Sequence, residues 1–156
     1  MHVESRQFSF EGPAFAEATL DAMVRLAREA ADYPLFRNLL AFEDETDAER
    51  MAEIFRKVKE KIRFAHDQGG EVVQHPQVTL NRGAGDCDDT ATLVAAALRA
   101  ADIPAKVRAV KLKPGAKFHH VYALGYDRAT GQWIPLDTQL RFGETREVLE
   151  IMERRV

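Results

Sequence analysis

From Asp88 to Ala101 the chain is dominated by alanine and leucine, and Val94, Leu98 and Ala101 fall on one stripe at helical spacing. Small side chains on a helix let its neighbours approach closely, so this stretch predicts a tightly packed central helix. The rest of the fold has to be arranged around it. Immediately before it stands Gly85-Asp86-Cys87-Asp88-Asp89, a polar loop carrying the only cysteine of the chain.

Upstream the pattern is helical. A short strand is expected around Gln7 to Phe10, after which Gly12-Pro13 starts a helix carrying Phe15, Leu20, Met23, Val24, Leu26 and Ala27. Pro34 ends or breaks it. Thr46-Asp47-Ala48-Glu49 has the capping-box form and opens a second helix with Met51, Ile54, Phe55, Val58 and Ile62 on one stripe, stopped by Gly69-Gly70. Glu71 to Leu80, interrupted by Pro76, is expected to be an extended surface connection. Downstream of the central helix the period changes to that of strands: Ala105 to Leu112, Phe118 to Tyr126 and Gln132 to Leu136, with turn signals at Pro114-Gly115 and Thr130-Gly131. Helices followed by a meander predict an α+β fold. Glu144 to Val156 is expected to close the chain as a charged helix with Val148, Leu149 and Met152 on one side.

At 156 residues, 46% hydrophobic and 30% charged, the chain has the size of one domain with one sizeable core. Its expected divisions are an N-terminal strand and helix extension over 1–45, a core over 46–143 and a helical tail over 144–156. Charges of both signs are interspersed and the net charge is -3, which argues against a nucleic-acid groove or binding to an anionic membrane. The first residues lack a basic region followed by an apolar run, and no stretch reaches spanning length, so a soluble, unexported protein is expected. One cysteine cannot form an internal disulfide or a multi-thiolate zinc site, which fits a reducing, cytoplasmic setting.

Cys87 at a helix start faces unpaired backbone N–H groups and the positive end of the helix dipole, both of which favour a thiolate. Asp86, Asp88 and Asp89 work against this by placing negative charge near the sulfur, although helix capping explains them as well. A turn centred near Arg128-Ala129 places His120 opposite Asp137, close enough for a carboxylate to accept from an imidazole N–H. A nucleophile, a base and an orienting acid then follow in the order Cys87, His120, Asp137. His119 competes for the role of base, because adjacent strand residues face opposite ways and only one of the two can face Cys87. His2, His66 and His75 have no partner pattern. The aspartates lack the glycine and terminal glutamate of a calcium loop, and no zinc signature is present, so neither a metal nor another cofactor is expected.

Gly85-Asp86-Cys87-Asp88-Asp89, Ile103-Pro104-Ala105, His120-Val121-Tyr122 and Trp133-Ile134-Pro135-Leu136-Asp137-Thr138 together resemble the transglutaminase-like cysteine peptidase superfamily over roughly Ala48 to Gly143. The likeness is to its small stand-alone bacterial and phage-encoded members. It implies a papain-like fold in which the cysteine-bearing helix packs on an antiparallel sheet that presents the histidine and the aspartate. It also implies Cys87 as nucleophile, His120 as general base and acid, and Asp137 as the group that orients the imidazole. His120 is preferred over His119 on the His120-Val121-Tyr122 match and the hairpin arithmetic.

The function expected is acyl transfer through a thioester, most simply hydrolysis of amide bonds in a peptide or protein substrate. Cys87 N–H is the natural oxyanion donor, Gln74 a candidate for the second, Asp86 a supporting group, and Trp133 either a shield for the His–Asp pair or a prop for the sheet. Two alternatives stay open. A primary amine in place of water as acceptor gives a transglutaminase, and a fold retained as an assembly component gives a virion-associated protein with phage structural partners.

Overall fold

The computed structural model describes residues 13–40, 46–66, 73–115 and 117–156, and their side chains apart from those of 13–15 and 35. The strand expected near Gln7 to Phe10, and Gly69-Gly70, lie outside the described residues. Helix α1 (Pro13–Ala30) buries Leu20, Met23, Val24, Leu26 and Ala27, and the chain then turns into α2 (Pro34–Leu39), with Pro34 in its first turn. Pro34 therefore starts a helix as well as separating two.

Thr46 caps α3 (Asp47–Lys61): its hydroxyl accepts from Glu49 N–H while the Glu49 carboxylate accepts from Thr46 N–H. Both orphaned donors are satisfied within four residues, and the apolar stripe Met51, Ile54, Phe55, Val58 is buried behind them. This helix ends earlier than expected. Ile62 turns extended, and β1 (Arg63–Phe64) pairs in parallel with β2 (Ala84–Gly85), so a long-range backbone ladder takes over before any glycine is reached. The expected surface connection is also replaced. Pro76 opens α4 (Pro76–Arg82), because a proline in the first turn gives up only an N–H that would have no partner there. Val73, Gln74, His75, Pro76 and Thr79 are buried.

The central helix α5 (Cys87–Ala100) behaves as its composition requires: Leu93 to Leu98 are all inaccessible to solvent. It packs on α1, α3 and α4, and on the sheet through β3 (Ala105–Lys111) and β4 (His120–Asp127). That sheet runs β5-β4-β3-β6 and is antiparallel throughout, with β5 spanning Gln132–Leu136. Val107, Ala109, Val121, Ala123 and Leu136 share the core with α5, while Val110, Tyr122 and Leu124 are buried on the sheet's other face with Trp133 and Val148 against them.

The tail is not helical. Glu150–Arg155 forms β6 on the outer edge of β3, from Lys106↔Arg155 to Lys111↔Glu150. Glu153 holds both Lys106 and Arg108, and Glu150 pairs with Lys111. Helical spacing of three apolar residues in the tail gives way to an open sheet edge whose cations match its glutamates. Asp47, at the start of α3, ties the opposite end together: Arg128 in the β4–β5 turn donates to it through Nε, Nη2 and its backbone N–H. Among the described residues no helix is long and apolar enough to cross a membrane.

Candidate active site

Asp86 is the N-cap of α5, and its side chain accepts from Asp89 N–H while Asp89 accepts from Asp86 N–H. Asp89 is fully buried, and its second oxygen takes the backbone N–H of Gln74 at 2.8 Å. Thus one carboxylate fastens the start of α5 to the strand-like segment beside it. The aspartates around Cys87 therefore have distinct duties: two close a capping box, and Asp88 receives the Cys87 thiol at 3.7 Å. Gly85 is required by space, since a Cβ there would lie 2.7 Å from Asp89 Cβ.

Cys87 is half-buried at the first turn of α5 and opens on two cavities. The larger, about 670 Å³, is walled by Leu20, Leu112, Phe118 and Val121, and has Asp86, Asp88, Lys113 and Arg146 as its charged lining. The smaller, about 370 Å³, lies on the α3 side with Val58, Ile62, Ala91 and Leu136, and includes Asp137. Cys87, His120, Val121, Phe64 and Gln139 line both.

His120 and Asp137 are both buried, and His120 Nε2 lies 2.7 Å from Asp137 Oδ2. Asp137 Oδ1 accepts the backbone N–H of Gln139 at 3.1 Å, which fixes the carboxylate just past the end of β5. The pair meets although the register differs from the expected one. Leu136 stands opposite Ala123, and the β4–β5 connection is the four residues Arg128 to Gly131 rather than a turn centred on Arg128-Ala129. Asp127 accepts from Ala129 N–H and Thr130 Oγ1, and Gly131 takes φ 73°, so the turn is centred one residue later. The pairing is displaced by two residues, which keeps every side chain on its expected face, and His120 reaches Asp137 diagonally.

His119 is exposed on the rim of the larger cavity, its Nδ1 bonded to Lys117 O. Two of the candidate supporting residues stand away from the cavities. Gln74 is buried, accepts from Thr79 Oγ1 at 3.2 Å, and does not line either one. Trp133 sits on the sheet face turned away from α5, with Lys106 Nζ 4.4 Å and Arg155 5.0 Å from its ring, and lines neither cavity. Among the described residues no three His, Cys, Asp or Glu side chains converge as a metal site requires.

The family model described as the transglutaminase-like superfamily matches residues 38–138, which contain Cys87, His120 and Asp137. The chain belongs to that superfamily. Among solved structures, this transglutaminase-like chain is similar to a candidate protease from Parabacteroides distasonis, with TM-score 0.59, 15% identity and coverage of 86% of this chain. A candidate cysteine protease from Cytophaga hutchinsonii is similar over 95% of this chain, with TM-score 0.52 and 16% identity. The transglutaminase-like chain spans 30% and 57% of the lengths of those two proteins, and at these identities the likeness is one of fold. No curated protein matches the sequence.

Several lining residues of this transglutaminase-like domain escape a reading of the sequence. Phe64 is 47% exposed and is set beside the Cys87-bearing loop by the Phe64↔Gly85 pairing. A large aromatic directly after a charged helix is the available signal, but only the β1–β2 ladder gives it a place. Gln139 and Arg146 come from the irregular segment after β5, where no periodicity marks a side chain as lining a cavity.

Proposed function

We propose that this chain is a cysteine-dependent acyl-transfer enzyme that hydrolyses amide bonds in a peptide or protein through a thioester on Cys87. The observation that carries the reading is the buried His120–Asp137 hydrogen bond of 2.7 Å on the wall of a cavity shared with Cys87. With Nε2–H given to Asp137, the lone pair of neutral His120 is on Nδ1, and Asp137 stabilises the imidazolium that forms when Nδ1 takes a proton.

In this reading His120 Nδ1 removes the thiol proton and Cys87 Sγ attacks the amide carbonyl carbon. The developing oxyanion is met by Cys87 N–H, which lies in the first turn of α5 at the positive end of the helix dipole. Collapse breaks the C–N bond, and the amine leaves with the proton from His120. Water then attacks the thioester with His120 as base, releasing a carboxylic acid and returning Cys87 to its starting state. A primary amine as acceptor is the second reading, favoured by the second cavity, which opens on Cys87 and His120 from the α3 side.

The test is incubation with a peptide library, with new carboxyl termini or deamidated side chains read by mass spectrometry, for the wild type and Cys87→Ala. Cleavage or deamidation by the wild type alone supports the reading. Equal product from Cys87→Ala overturns it, and incorporation of an added primary amine in preference to water selects the second reading.

A further inference from the structure

The larger cavity is divided in charge. Asp86 and Asp88 belong to the start of α5, at the nucleophile, whereas Lys113 follows β3 and Arg146 precedes β6. The β3–β6 ladder ends at Lys111↔Glu150 and continues with Leu149 N–H donating to Lys111 O at 2.9 Å, so both cations emerge from the same end of the sheet. It is the end at which β4 begins, with His120 opposite Val110.

Among the described residues neither cation is paired with a carboxylate. Lys113 is exposed, and Arg146 donates from Nη2 to Gln139 Oε1 at 3.1 Å. That contact matters for position: Gln139 N–H also holds Asp137 Oδ1, so the guanidinium is referenced to the His120–Asp137 pair. Its planar fork retains donors for a second acceptor. Leu112, Phe118 and Val121 give the same cavity an apolar lining suited to the aliphatic part of a peptide.

We propose that Arg146 and Lys113 form an anion subsite that selects acyl donors carrying a carboxylate, that is, acidic peptide substrates. The inference rests on the proposed function of Cys87 and adds to it a specificity. An amide carbonyl has to lie at Cys87, beside Asp86 and Asp88, where a substrate carboxylate is repelled. The subsite accommodates that charge on the wall contributed by the segments after β3 and before β6. Selectivity then comes from both walls, attraction at one and repulsion at the other.

The experiment compares matched bromoacetyl probes, in which Cys87 Sγ displaces bromide to form a thioether. Bromoacetyl-glycine is set against bromoacetyl-glycinamide for a terminal carboxylate, and bromoacetyl-glutamate α-amide against bromoacetyl-glutaminamide for a side-chain carboxylate. The second-order rate of Cys87 labelling is read by peptide mass spectrometry. The expected result is labelling by an acidic probe about 10-fold faster than by its neutral partner, the size expected from two partly solvated charge pairs. The pair that shows it identifies which carboxylate is read. In Arg146→Gln combined with Lys113→Gln the ratio falls towards one, and because both probes report on the same protein, a general change in thiol reactivity cancels. Ratios near one in the wild type, or a ratio unchanged in the double variant, overturn the subsite while leaving the thiol's reactivity established. Failure of every probe to label Cys87 overturns the acyl-transfer reading and the subsite with it.

Discussion

Replacing Gly85 with alanine puts a methyl group where the space is already taken. The added Cβ would sit 2.7 Å from Asp89 Cβ, 3.1 Å from Asp89 Oδ2 and 3.3 Å from Thr79 Cγ2, against an ordinary contact of 3.4–4 Å. The first of these atoms is attached to the α5 backbone and cannot swing aside, so the helix start has to move. Overpacking of this kind costs about 1–3 kcal/mol. For a chain of this size each kcal/mol lowers Tm by ~2–4 °C, so a loss of about 4–8 °C is expected at the middle of that range. Such a loss leaves the protein folded at 25 °C, since domains have roughly 5–15 kcal/mol to lose. Activity should nonetheless fall, because Asp89 holds both Asp86 N–H and Gln74 N–H and so determines where Cys87 points. The assay pairs a thermal melt with the rate of Cys87 alkylation at 25 °C. An unchanged Tm would refute the packing argument, and a lowered Tm with an unchanged alkylation rate would refute the claim that the Asp86–Asp89 box positions the thiol.

Three further outcomes follow from the same geometry. Asp137→Ala leaves His120 without its 2.7 Å partner and should lower turnover about 10²-fold or more, with KM little changed, in steady-state kinetics. Trp133→Ala should cost about 1–2 kcal/mol in urea melts, through lost burial and the stacked Lys106 and Arg155, with no change in the rate at which Cys87 is acylated. Hydrogen bonds from Arg128, opposed by burial and aided by Arg50, hold the Asp47 carboxyl well below the usual carboxylate range. A depressed folded-state pKa contributes stability that is complete above the unfolded value, about 3.9, and lost as pH falls through the folded one. The difference in urea midpoint between wild type and Asp47→Asn should therefore be flat above about pH 5 and narrow below about pH 4.

What could be read in the sequence was what short-range chemistry decides. Thr46 and Glu49, three residues apart, satisfy each other's backbone N–H groups, so α3 was legible at its start, and the composition of Asp88 to Ala101 permits little besides a buried helix. Elements decided by distant partners were not. The end of α3 is set by pairing with residues 84 and 85, and the tail becomes a strand because β3 would otherwise present an unpaired edge. Pro76 shows a different failure: a proline marks either a break or a first turn, and here it opens α4 after His75, whose Nδ1 accepts from Gln77 N–H. In the candidate site, the ordered residues Cys87, His120 and Asp137 were visible because each lies on or beside a strongly patterned element. Their surroundings were not, since Phe64, Gln139 and Arg146 reach the cavities from segments that have no period.

The central claim is that Cys87 carries an acyl group and that His120 helps it to do so. Reaction with a p-nitrophenyl ester, quenched in acid and followed by peptide mass spectrometry, measures this directly. An acyl group on the Cys87 peptide is predicted, formed in a burst of one equivalent in the wild type and slowed about 10²-fold or more in His120→Ala. No acyl group on Cys87, or the same rate of acylation in His120→Ala, would contradict it.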